Sequence, residues 1–212
     1  MKIKNLYLSS FFCFAAILYY VVLSSFIKNP AMSEPPSYVK IGNQVWLNSL
    51  LSETKLNNGS EIAFASNSET WKALCDQQMP AYCYLGFDST NKRLGLIYNF
   101  FVISHADGLL LPKGFSIPNA ADWKQLMTID IASLKSDSGW KDGASGTNSS
   151  GFNAIPNGFS FNGSSFTEKG TMATWWAAFE TPLLAHIGYQ STSLELNNGL
   201  LYTGAFLKLV KK

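Results

Sequence analysis

Ser136 to Gly170 reads SDSGWKDGASGTNSSGFNAIPNGFSFNGSSFTEKG. Seven glycines, eight serines and four asparagines make up 19 of these 35 residues, a composition that ordinarily marks a linker. Trp140, Phe152, Phe159, Phe161 and Phe166 interrupt it. A solvated linker has no reason to carry five aromatics, because each would leave a large apolar surface in water. The stretch therefore reads as long ordered loops, each pinned to a core by an aromatic.

The flanks supply short elements for such loops to connect. Before them, Asn119 is placed to cap a helix, Asp122 suits its N-terminal dipole, and Trp123, Leu126/Met127, Ile131 and Leu134 form an apolar stripe. After them, Thr171 to Glu180 (TMATWWAAFE) is the densest aromatic patch, and Gly199 to Leu209 reads as a closing strand with Lys208, Lys211 and Lys212 exposed. Further upstream, Tyr38 to Leu47 alternates around Gly42-Asn43, a pair able to take the positive φ of a tight turn, so a β-hairpin is expected. Ser66 and Glu69 have capping-box spacing ahead of a short helix near 67–78. Leu94 to Ser104 (LGLIYNFFVIS) reads as a core strand or a strand-helix boundary. The whole is an α+β pattern.

The N-terminus has a different character. Leu6 to Ile27 contains no charge over 22 residues. As a helix it would span roughly 33 Å, enough for a hydrocarbon core of about 30 Å. Residues 1–28 are therefore expected to be a signal anchor, and the bilayer is the partner of residues 6–27. Lys2 and Lys4 in front place the N-terminus in the cytoplasm and the domain in the periplasm. The alternative is a cleaved signal peptide ending near Val22 to Ser25, which would leave a secreted or cell-surface protein. Residues 29–37 (NPAMSEPPS) carry three prolines and read as a stiff stalk, with an extracytoplasmic domain over 38–212.

Charge divides along the same line. The chain of 212 residues has 16 Lys and Arg against 14 Asp and Glu, a net of +2. Lys2, Lys4 and Lys28 belong to the anchor, so 13 basic and 14 acidic residues remain and the exported part carries −1. That balance argues against a nucleic-acid partner, which calls for a basic excess. Three cysteines exclude a small disulfide scaffold. Cys75 and Cys83 are candidates for a disulfide in an oxidising compartment, the alternative being two buried thiols.

Several blocks resemble the Fibrobacter succinogenes major paralogous domain family over roughly residues 39 to 180. They are Val39 to Trp46, Cys83-Tyr84, Gly95 with Ile97 to Val102, Leu111 to Pro118 followed by Trp123 and Leu126, Ser138 to Trp140, Gly146 to Asn148, Gly151 to Gly158, and Trp175-Trp176. The resemblance implies a C-type-lectin-like α+β fold with two helices, small antiparallel sheets and long loops. It also implies a surface binding or adhesion module, and it brings no catalytic residues with it. Ala205 to Leu209 departs from the family's usual Val-Arg-Cys ending, so the C-terminal end is divergent.

No metal-ligand spacing, nucleophile elbow or phosphate loop is present in the sequence. Asp137, Asp142 and Asn148 share one loop-rich segment and are candidates for Ca²⁺, though turn formation explains them equally. Trp175 and Trp176, with Glu180 beside them, are the candidate ligand-binding residues, since exposed aromatic faces stack on sugars and anchor interfaces. Glu168 is the other acid flanking the patch. In a strand the two tryptophans point to opposite faces, so one can be buried while the other is not. The expected function is a non-catalytic binding or adhesion module of the cell envelope for a glycan or an envelope protein. The alternatives are a structural subunit of an envelope complex and an enzyme related to formylglycine-generating oxidases. The last would need a cysteine pair near the C-terminus, where the sequence has none.

Overall fold

A computed structural model describes residues 37–105, 108–178 and 180–212. The expected anchor over 1–28 and nearly all of the stalk lie outside the described residues. Among the described residues, no helix is long and apolar enough to cross a membrane.

The architecture is α+β, with few helices and small, mostly antiparallel sheets. The hairpin forms as read: β1 (Tyr38–Ile41) pairs with β2 (Gln44–Leu47) around Gly42, whose φ of +57° suits the turn. Next come β3 (Ala63–Phe64), helix α1 (Ser68–Asp76), β4 (Ala81–Cys83), β5 (Ile97–Asn99), helix α2 (Phe100–Ser104) and β6 (Phe115–Ser116). Helices α3 (Ala120–Leu126) and α4 (Ile131–Leu134) follow, then β7 (Phe159–Ser160), β8 (Phe166–Thr167), β9 (Met172–Ala177), β10 (Leu183–Gly188), β11 (Glu195–Asn198), β12 (Gly204–Ala205) and β13 (Val210–Lys211). Three sheets result, ordered β1-β2-β13-β6, β11-β10-β9 and β3-β4-β5-β12-β7-β8. Among the strands of the described residues, only β3 and β4 pair in parallel.

The helices differ from expectation in informative ways. The cap of α1 is Asn67, whose side chain accepts from the Thr70 amide, and not Ser66. Asn119 and Asp122 form a reciprocal capping box at α3. The single helix expected from Asn119 to Leu134 is two, because Asp130 starts a new one by accepting from the Ala132 amide. The stripe survives the break, since Trp123, Leu126 and Leu134 are all buried. Both alternatives for residues 94–104 contain part of the answer: a strand runs to Asn99, where helix α2 begins. Asn99 is wholly buried and its amide is fully used. Its Oδ1 accepts from the Ala81 and Val102 amides at 3.0 and 3.3 Å, and its Nδ2 donates to the Met79 carbonyl at 2.8 Å.

Two hydrophobic clusters lie on opposite faces of the β9-β10 ladder. Trp175, Ala185 and Ile187 face one, and Trp176 and Leu184 face the other. In the first, Trp46, Trp123, Phe152 and Trp175 form a four-ring group with centroids 5.0 to 6.3 Å apart. Phe152 comes from the loop-rich stretch, so here an aromatic does pin a loop. Trp140 is buried and donates to Ser136 Oγ at 3.0 Å, and Phe166 packs edge-on against Phe87 at 5.0 Å. Phe161 is the exception and is 50% exposed.

The closing segment also needs correction. Lys211 and Lys212 are exposed, but Lys208 is buried to 1% of its accessible surface. Its Nζ donates to the carbonyls of Leu47 at 3.2 Å, Asn48 at 2.6 Å and Phe152 at 2.8 Å, and lies 4.8 Å from the Phe152 ring centroid. An ammonium has three donors, and three carbonyls meet them.

Candidate functional site

Trp175 and Trp176 present no exposed ring face. Both are buried, with Trp175 stacked on Trp123 at 5.5 Å and Trp176 Nε1 donating to the Tyr98 carbonyl at 2.7 Å. Alternation along β9 does separate them, but the sheet is covered on both sides at this point, so both rings enter cores. Glu180 is exposed and borders neither of the two hollows described below. Glu168 is exposed, with a φ of +64°, and accepts from Thr171 Oγ1.

Cys75 and Cys83 are free thiols, and both are buried. Burial pushes the Cys75 thiol up to about 11 and raises Cys83 further. Neither is poised as a nucleophile. The calcium candidates are engaged locally: Asp137 Oδ1 accepts from Ser138 Oγ, Asp142 lies 3.9 Å from Lys141 Nζ, and Asn148 Oδ1 accepts from the Asn153 amide. Among the described residues, no group of three or more His, Cys, Asp or Glu is placed to hold a metal ion.

The structure instead brings together residues that the sequence did not single out. A cleft of about 580 Å³ opens between the segment after β2 and the outer edge of β9. Leu47 to Ser52 form one wall, Arg93 to Gly95 the next, and Asn153, Ile155 and Asn157 from the loop-rich stretch the third. Thr174, Trp175, Phe206 and Lys208 also border it. Along the outer side of β9, Gly158 bridges Ala173 and Phe206 bridges Trp175.

Two residues that border this cleft each carry a polar atom in an expensive state. Asn157 is 7% exposed and Thr174 is 2% exposed, and neither Asn157 Nδ2 nor Thr174 Oγ1 has a hydrogen-bond partner. Leaving a buried polar group unpaired costs roughly 1–3 kcal/mol, so such groups call for a physical reason. Among the described residues the cleft lining contains no carboxylate, imidazole or thiol. Its ionisable groups are Arg93, which is exposed, and Lys208, which is caged by its three carbonyls. Burial pushes Lys208 down to about 7, while those carbonyls favour the protonated form. The arrangement can hold a ligand by hydrogen bonds and apolar contact.

A second hollow of about 220 Å³ lies against the β9-β10-β11 sheet. Thr174 and His186 are directly opposed across β9 and β10, and both border it. Thr174 is the one residue common to cleft and hollow.

Sequence reasoning missed Asn157, Thr174 and Lys208. Asn157 lies within the Asn-Gly turn chemistry of the loop-rich stretch, which gives it an ordinary explanation. No local pattern marks the other two.

A family model described as the Fibrobacter succinogenes major domain matches residues 39–192. The match runs from the hairpin past β10 and includes Asn157, Thr174 and both tryptophans of β9. No curated protein and no solved structure matches the chain.

Proposed function

Given that the chain belongs to the Fibrobacter succinogenes major domain family, we propose that it is a non-catalytic binding module of the cell envelope and that the cleft beside β9 holds the ligand. The observation that carries this reading is the buried, unpartnered Asn157 amide at a cleft of about 580 Å³. That volume falls within the roughly 300–1,000 Å³ typical of ligand sites. A ligand oxygen would satisfy Asn157 Nδ2, and Leu50, Leu94 and Ile155 would cover its apolar parts. A glycan has both characters, being rich in hydroxyls on an apolar ring frame.

The same proposal takes the fold as C-type-lectin-like. It places residues 6–27 in the inner membrane with the domain in the periplasm. The uncharged run and the lysines before it support that placement.

The test is a glycan array probed with the full chain, followed by titration of the best hit against Asn157→Ala. The expected result is saturable binding that weakens by roughly five- to a hundredfold in the variant, with unchanged unfolding midpoint. Equal affinity of the two proteins would remove the cleft from the proposal.

A further inference from the structure

Of the five aromatics that punctuate the loop-rich stretch, Phe161 alone is half exposed, and it stands at the lip of the smaller hollow. We propose that this hollow is a second binding site, which takes a single neutral pyranose ring with Phe161 against its apolar face and Thr174 and His186 at its hydroxyl edge.

Residues that face each other across antiparallel strands share a side, so Met172, Thr174, Leu184, His186 and Asn197 project from one face. At Trp176 and Leu184 that face is sealed by the second core. Met172, Thr174 and His186 border the hollow together with Phe159, Phe161, Leu200 and Thr203. Leu200 is 49% exposed, so the lip is apolar on two sides.

Size selects one ring. About 220 Å³ is below the range of drug-sized ligands. Charge selects against anions. Among the described residues no lysine or arginine lines the hollow, so an anion entering it would give up water without a counter-charge. Burial lowers the His186 pKa, with the Glu195 carboxylate 3.6 Å away opposing the shift. Asn197 Nδ2 lies 3.3 Å from His186 Nε2. With Nε2 accepting that bond, the neutral ring carries its proton on Nδ1.

The polar inventory selects hydroxyls. Thr174 Oγ1 is buried and unpartnered, and a hydroxyl can serve it as donor or acceptor. Thr203 Oγ1 is already used, donating to the Phe161 carbonyl at 3.0 Å and accepting from the Leu200 amide at 2.9 Å. That pair of bonds holds the two lip residues in place. A phenol ring would fill the same volume but brings one polar atom. Thr174, His186, Asn197 and Asn198 offer several hydroxyl partners.

The inference extends the binding reading and is separable from it, because cleft and hollow share only Thr174. The test follows the two histidine imidazole signals of the full chain by NMR, assigned with a His105→Gln variant. The probes are methyl hexopyranosides of the gluco, galacto and manno series, with para-cresol as the phenol arm. The expected result is a saturable shift of the His186 signal with at least one glycoside. Phe161→Ala should weaken it roughly two- to tenfold, and Asn197→Ala, at an exposed position, should also weaken it. The inference is overturned if no glycoside moves His186, if only para-cresol does, or if both variants bind as the parent does. Glycoside affinity that falls in Asn157→Ala but not in Phe161→Ala overturns the hollow and leaves the cleft. The reverse pattern overturns the cleft and leaves the hollow.

Discussion

Trp175 and Trp176 are consecutive residues of β9 whose rings lie in two different hydrophobic clusters. One peptide unit therefore ties both cores together. Trp175 contributes to the Trp46-Trp123-Phe152 group, while Trp176 reaches Phe100 at 6.0 Å and the Tyr98 carbonyl at 2.7 Å.

Replacing either tryptophan by alanine is expected to cost about 3–5 kcal/mol, as for other large buried aromatics. Against a total of about 5–15 kcal/mol, each variant should show a much lower urea midpoint with near-parental slope. A Trp176→Ala protein of parental stability that fails only to bind ligand would return this residue to the binding surface.

Lys208 gives a pH signature. Its side chain is pushed down to about 7 by burial, from an ordinary value of 10.5. Above pH 7 the folded state releases the proton, while the unfolded chain keeps it until about 10.5. The unfolded state then binds more protons, so this residue's contribution rises with pH across that window and is lost as pH falls toward 7. Urea titrations of the parent and Lys208→Met at several pH values from 7 to 10 should show the stability difference moving in favour of the parent. The slope is limited to about 1.4 kcal/mol per pH unit. A pH-independent difference contradicts the assignment.

Gly204 is a close-approach position rather than a turn. A Cβ placed there would lie 2.6 Å from Ile97 Cγ2 and 2.8 Å from Trp71 Cζ2. Trp71 cannot withdraw freely, because its Nε1 donates to the Tyr202 carbonyl at 2.9 Å. Gly204→Ala should therefore destabilise by about 1–3 kcal/mol through overpacking. Differential scanning calorimetry should show a fall of several degrees in Tm, and an unchanged Tm would mean that β12 can shift.

The thiols should be silent in the folded protein. In a Cys13→Ser background, iodoacetamide at pH 8 should leave Cys75 and Cys83 unlabelled until denaturant is added, since burial withholds both access and the thiolate. Rapid native labelling of either would reopen the enzymatic alternative. A 75–83 bridge found by mass spectrometry would show that oxidation overrides the free pair.

Features written in neighbouring residues were legible in the sequence. The hairpin turn needs only Gly42-Asn43, and the α3 cap needs only Asn119 and Asp122. The break before α4 was missed because the apolar stripe continues across it, and periodicity alone does not register a new cap at Asp130. Burial of Lys208 was not legible either. Its acceptors come from Asn48, 160 positions away, and from Phe152, 56 positions away. The tryptophan pair was half legible: alternation assigns opposite faces, but only the tertiary structure says that both faces are covered. The cleft draws its lining from six separated segments, and Asn157 matters there for a bond that it lacks.

The anchored loops of the stretch from 136 to 170 give the domain a modular economy. Phe152 and Trp140 secure it at points, and Phe166 braces it against Phe87. At its exposed tip Asn162 bonds locally to Ser164 and Ser165. Exposed positions such as Ser164 and Ser165 can change without disturbing either core, whereas Gly158 and Gly163 cannot, since a Cβ there would meet Thr167 and Trp71. Related chains could thus keep one frame and present different lips to different ligands, with position 161 among the first places where such a change would register.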